Sequence, residues 1–169
     1  MTDAAPTARA GGLWLSLLLG LAAFALDRLH KYVQVEAMHW PEGYFRPLTP
    51  FFDVGLVFNS GISYGLLSAL PLWGLAIVIA AALAALVVWW VRAHSTLIRA
   101  GLAICIGGAL SNALDRAIYG AVADFFHVHW GDLAFPYIFN VADVMITIGV
   151  GLLLLDLVGI GGRKAANAA

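Results

Sequence analysis

The sequence predicts an all-α membrane protein: four transmembrane helices with a small β-rich platform in the first outer loop. Two observations carry this expectation. The 169-residue chain is 62% hydrophobic and only 11% charged, against about 25% charged in a soluble domain, and its mean hydropathy is +0.90. Its apolar residues also gather into stretches close to the roughly 20 that a helix needs to cross hydrocarbon. One polytopic membrane domain over residues 1–169 accommodates both. The net charge of -1 says nothing about nucleic acid, but there is no basic cluster to bind it, so no nucleic-acid partner is expected. Cys105 is the single cysteine, so no intramolecular disulfide can form.

In chain order, the first span covers about 10–27. It has a rival reading as a cleaved signal peptide, with basic Arg9, an apolar core and Ala23-Phe24-Ala25 as the cleavage site. Against this, Asp27 and Lys31 follow at once and are assigned below to the working protein. The outer loop 28–70 is too long for a bare connector. Its Tyr44, Phe45, Phe51, Phe52 and the run 54–58 are expected to form the β-rich platform at the lipid surface. The second span, 71–91, is PLWGLAIVIAAALAALVVWWV, without a charge. The third, 97–119, has Arg99 at one end and Asp115-Arg116 near the other. After an outer loop at 120–137, the fourth span, 138–158, carries Asn140, Asp143 and Thr147 near its start.

Basic residues orient the chain. Arg9, Arg92, Arg99, Arg163 and Lys164 fall on one side; Arg28, Lys31, Arg46 and Arg116 fall on the other. The second set lies largely in a long loop, which counts for little in the positive-inside rule. Both termini are therefore expected in the cytoplasm. The loops face outward, to the periplasm in a Gram-negative cell. Of the ten acidic residues, all but Asp3 and Asp156 lie on that outer side. A carboxylate at membrane depth is costly unless paired, so any chemistry is expected there.

Several constellations compete for that role. On the third span, Ser111 and Asp115 share a face, as do Asn112 and Arg116, and Gly107, Gly108 and Ser111 permit close helix approach. Ser111 reads as polar glue, and Asp115 as an ion-pair member with Arg116, Arg28 or Lys31. On the fourth span, Asn140, Asp143 and Thr147 form one stripe expected to face the bundle. Neither Asp143 nor Asp124 has a cation nearby in sequence. Two such carboxylates at one membrane face suit an aspartyl dyad, in which like charges cannot both ionise and one keeps a proton near neutral pH. DFFHVHWGD offers a metal reading instead, through His127 and His129 flanked by Asp124 and Asp132. His30, His39 and His94 read as isolated and solvated. GISYG, 61–65, fits the G-x-S-x-G nucleophile elbow, which would make Ser63 a nucleophile. That elbow needs a strand-turn-helix in an α/β sheet, which a four-span chain lacks.

Taken together, Asp27-x3-Lys31, Asn59-x-Gly61, GGALSNALDR (107–116), VADFF (122–126) and FNVAD (139–143) resemble lipoprotein signal peptidase, the type II signal peptidase, over about 14–158. The resemblance implies that Asp124 and Asp143 are catalytic aspartates. It implies that Asn112, Arg116 and Asn140 line the site and hold the substrate backbone, and that Asn59 and Gly61 lie nearby on the platform. Asp27, Lys31 and Asp115 are expected as structural polar residues. The implied enzyme is an aspartyl endopeptidase of the bacterial inner membrane, needing neither metal nor cofactor. It would cut the signal peptide from diacylglyceryl-modified prolipoproteins just before the lipidated cysteine, with membrane lipid around it, and act as a monomer. The chain departs from the family pattern at Arg28, Ser60, Tyr64, Ser111 and Val144. A proton- or ion-coupled carrier and a non-catalytic scaffold are the alternatives; the lack of an inverted repeat counts against the carrier.

Overall fold

The computed structural model describes residues 6–60, 71–130 and 133–159. Four α-helices, α1 (Pro6–Lys31), α2 (Leu72–Arg92), α3 (Thr96–Tyr119) and α4 (Val141–Leu157), stand with four strands, β1 (Phe45–Thr49), β2 (Phe52–Asn59), β3 (Val122–Trp130) and β4 (Leu133–Phe139). α1 continues into a π-helical segment, Tyr32–Ala37. Among the described residues three helices are long and apolar enough to cross a membrane: Gly12–Ala37, Trp73–Arg92 and Thr96–Tyr119.

α4 has 17 residues, about 25 Å at 1.5 Å per residue, short of a hydrocarbon core of about 30 Å. Ile138 and Phe139, expected inside the fourth span, instead end β4. The Asn140 side chain caps the helix by accepting from the Asp143 N–H at 3.0 Å, which stops it growing backwards. The first helix extends the other way, past the expected end at 27. Its polar residues Asp27, Arg28 and Lys31 find partners on α3, so charge does not terminate it.

α3 is the central helix and packs against both α1 and α4, while α2 packs chiefly against α3. The α3–α4 approach is close because Gly108 lacks a side chain. A Cβ there would lie 2.7 Å from the Ala142 carbonyl oxygen. α2 turns Trp73, Ile77, Val78, Val87 and Trp89 outward, as a helix in lipid can. At the opposite end from the sheet, the Ser95 hydroxyl caps α3 and donates to the Asp156 carboxylate at 2.5 Å.

The platform is a four-stranded antiparallel sheet in the order β1-β2-β3-β4. Half of it comes from residues expected only as the second outer loop. β3 pairs with β2 through Asn59↔Val122, Phe58↔Ala123 and Val57↔Asp124, partners too distant in sequence to be read locally. Leu56, Ala123 and Phe125 form its buried core, with Val35 of the π-helical segment, Trp40, Phe58 and Phe126 packed around them. Gly120 makes the turn from α3 into β3. Its φ of +72° is the left-handed cap conformation, and its N–H bonds the Arg116 carbonyl at 3.1 Å. This sends Asp124 back beside the last turns of α3.

Candidate active site

The site assembles where α1 and α3 end, α4 begins and β3 passes. Asn140 is the N-cap of α4 and Asp143 its N3 residue. The two close a reciprocal capping box, in which the Asn140 N–H also donates to Asp143 Oδ2 at 3.2 Å. Asn112 Nδ2 of α3 donates to Asp143 Oδ1 at 3.0 Å. Asp143 thus sits in the first turn, at the positive end of the α4 dipole. On β3, Asp124 is 3% exposed. Its Oδ1 accepts from Asn140 Nδ2 at 2.7 Å and its Oδ2 from Asn59 Nδ2 at 3.1 Å. Asn140 therefore bonds both carboxylates, which lie 19 residues apart in sequence.

Burial pushes the Asp124 carboxyl up to about 7. The hydrogen bond from Asn59 opposes that rise, the neighbouring charge of Asp143 adds to it, and Lys31 and Asn140 also oppose it. A carboxyl titrating there exchanges protons at cellular pH.

A second, charged layer lies directly behind. Lys31 Nζ contacts Asp27 Oδ2 at 2.7 Å, Asp115 Oδ2 at 2.6 Å and Asn112 Oδ1 at 2.8 Å, so each of its three N–H bonds has an acceptor. Arg28 reaches Asp115 Oδ1 at 2.6 Å. Ser111 donates its hydroxyl to Asp27 Oδ2 at 2.6 Å. Asp27 and Asp115 also accept the backbone N–H groups of Ala142 at 2.8 Å and Ala123 at 3.1 Å. Two departures from the family pattern, Arg28 and Ser111, are thereby absorbed into this layer.

Several expectations change here. Asp124 and Asp143 have no cation near them in sequence, but folding brings charge to them from a distance: Arg116 lies within electrostatic reach of both, and the Lys31 charge acts on Asp124. These cations come from other helices, which local sequence cannot show. Arg116 donates to the Asn112 carbonyl at 3.3 Å, while Arg28 and Lys31 grip Asp115. Thr147 is exposed, its hydroxyl satisfied by the Asp143 carbonyl at 2.8 Å, so the stripe does not face the bundle throughout. His30 is not solvated but packs against Phe125 and Phe126, with ring centroids 4.8 and 5.1 Å away. His127 and His129 flank Asp53 of β2 at 3.6 and 3.2 Å, and among the described residues no group of three ligating side chains could hold a metal. Ser60 and Val144 are exposed. Gly61, Ser63, Tyr64 and Asp132 lie outside the described residues.

Sequence reasoning missed the anchoring of Ala123 and Ala142, which involves backbone groups and leaves no side-chain signal. It also missed the cleft beside the site. A cavity of ≈ 250 Å³ between α2 and α3, lined by Leu75, Ile79, Leu83, Ala113 and Arg116 among others, is apolar apart from the guanidinium. A larger one, ≈ 400 Å³, lies between α1, α2 and α3 against Leu17, Phe24, Trp90 and Leu110 and has no titratable lining.

The family model described as signal peptidase (SPase) II matches residues 19–159. The chain is 39% identical over 158 residues to a lipoprotein signal peptidase of Rhodopseudomonas palustris, covering 89% of this chain and 96% of the relative. It is 40% identical over 154 residues to one from an Azoarcus species, covering 88% and 85%. A bacterial membrane enzyme solved by the in meso method at 2.3 Å superposes with a TM-score of 0.76 at 25% identity, covering 93% of this chain and 95% of that one. A second, at 1.9 Å, gives a TM-score of 0.73 at 27% identity, covering 87% and 94%.

Proposed function

The chain belongs to the signal peptidase II family and removes the signal peptide from prolipoproteins; we propose that it does so as an aspartyl endopeptidase, with Asp124 and Asp143 as the catalytic pair. The observation that carries this is Asn140, whose side chain bonds Asp124 while its capping box holds Asp143. Two like charges held this way do not both ionise cheaply, so the pair shares a proton near neutral pH. The ionised member takes a proton from water. The protonated member hydrogen-bonds the scissile carbonyl and then gives its proton as the tetrahedral intermediate forms. On collapse the leaving amine collects the proton first taken from water. No metal or cofactor enters these steps.

Asn112 and Asn140 line the site with their amide groups already bonded to the carboxylates, so their part is to hold the pair. Asn59 holds Asp124 in the same way, so contact with the substrate backbone falls to Gly61 and Arg116. The substrate is the diacylglyceryl-modified precursor, cut just before its lipidated cysteine, and the apolar cleft beside Arg116 suits an apolar portion of it. The enzyme works as a monomer in the bacterial inner membrane. α4 serves as the fourth span, both termini are cytoplasmic and the sheet faces outward. The carrier and scaffold readings are not favoured, because the named relatives match over most of the chain.

A gel-shift assay on a lipidated prolipoprotein tests the reading. Wild type converts it, and Asp124→Asn and Asp143→Asn, present at normal level, do not. Cleavage near the wild-type rate by either variant removes the dyad. For topology, in a Cys105→Ala background an impermeant thiol reagent should label Glu42→Cys and not His94→Cys in intact cells. The opposite pattern would invert the orientation.

A further inference from the structure

We propose that Lys31 is a positioning residue for the reaction. Through Asp27 and Asp115 it holds the backbone N–H groups of Ala142 and Ala123, the residues directly before Asp143 and Asp124, and so sets the spacing of the two carboxylates. This rests on the aspartyl reading above and deepens it.

The geometry is symmetrical in its logic. Asp27 Oδ1 accepts the Ala142 N–H at 2.8 Å, and Asp27 Oδ2 accepts from Lys31 at 2.7 Å. Asp115 Oδ2 accepts both the Ala123 N–H at 3.1 Å and Lys31 at 2.6 Å. The third Lys31 contact, to Asn112 Oδ1 at 2.8 Å, orients an amide that bonds Asp143 through its other end. All five anchoring residues are almost wholly inaccessible: Asp27, Asp115, Ala123 and Ala142 at 0% and Lys31 at 1% exposure.

An ion pair serving only to glue α1 to α3 would need neither amide. Both amides belong instead to β3 and α4, which carry the proposed catalytic groups. The Ala142 N–H is also one of the first donors of α4, which has no partner within its own helix. Fixing the residue before each aspartate restricts where its Cα lies, and a misplacement of about 1 Å can cost about 100-fold in rate.

The test compares kcat and KM per folded molecule on a diacylglyceryl-modified precursor peptide, using the full chain in detergent. Lys31→Met should lower kcat about 100-fold and leave KM within about twofold. Because that variant strands two buried acids, a second one replaces the whole charged layer: Asp27→Leu, Arg28→Met, Lys31→Met and Asp115→Leu together. Two acids and two bases leave at once, so no buried ion goes uncompensated. This variant should reach the membrane at a near-normal level and show the same selective kcat loss. The proposal is overturned if either variant keeps kcat within about threefold of wild type. It is equally overturned if activity falls only in step with the amount of folded protein, or if neither variant accumulates, since the layer would then be purely structural. Asp124→Asn runs alongside. Turnover by that variant sinks the aspartyl reading, whereas an inactive Asp124→Asn beside a fully active four-site variant sinks only the positioning role.

Discussion

Two pairs of acids share one end of the bundle, and they are held in different ways. Asp27 and Asp115, at 0% exposure, take their strongest partners from cations: Lys31 reaches both, and Arg28 reaches Asp115. Asp124 and Asp143 take their hydrogen bonds from amides, those of Asn59, Asn112 and Asn140 with the Asn140 backbone, while Arg116 and Lys31 act on them through charge. A direct cation compensates a buried carboxylate and makes it structural. An amide satisfies the oxygen without supplying a full charge, and burial can then bring the proton back. The donor type, more than the depth of burial, separates the pair that anchors from the pair proposed to react.

Neutralising each member of the amide-held pair should have the largest effect. Asp124→Asn and Asp143→Asn should each cost on the order of 10³-fold or more in turnover, with the double variant no worse than either single, since the two act as one unit. A double variant far slower than both singles would mean that they act independently.

Removing the shared cation should, besides slowing turnover, unsettle the fold. Lys31→Ala strands Asp27 and Asp115, at a cost of about 3–5 kcal/mol, read as a lowered thermal midpoint in detergent. An unchanged midpoint would show that the charged layer does not need its lysine.

The two pairs should also differ in pH. Asp124 titrates at about 7 in the folded protein, against about 3.9 unfolded. Between those values the folded state keeps a proton that the unfolded state has lost, so stability falls as pH rises through the window. The penalty reaches at most roughly 4 kcal/mol above pH 7. Asp124→Asn should therefore gain stability over wild type at pH 8 and little at pH 4, measured by parallel melts. Equal gains at both would place the Asp124 titration elsewhere. Turnover should follow a bell, falling when both aspartates are protonated and again when both are ionised.

The smallest effects should come from groups outside both pairs. His127→Ala with His129→Ala, and separately Ser63→Ala, should keep turnover within about threefold, and EDTA should not inhibit. Loss of activity restored by added zinc would revive the metal reading.

The sequence alone determined that this is a membrane protein, roughly where α2 and α3 run, and that carboxylates at helix ends on one side were the groups to watch. Composition and apolar run length carry that information because a lipid-facing helix such as α2 needs only its own residues to be stable. The tertiary structure decided the rest. β3 has no strand without β2, so half of the sheet was hidden in what read as a loop. Asn140 stops α4 from extending back through Ile138 and Phe139, and an Asn-x-x-Asp spacing was a readable trace of that cap. No trace exists for Asp27 reaching the Ala142 N–H, 115 residues away, or for Lys31 reaching Asn112, 81 residues away. Such contacts depend on which helix faces meet. A single sequence hints at which acids have a cation close along the chain, as Asp115 does and Asp124 and Asp143 do not. Which groups each acid actually bonds is decided only when packing gives two of them cations and two of them amides.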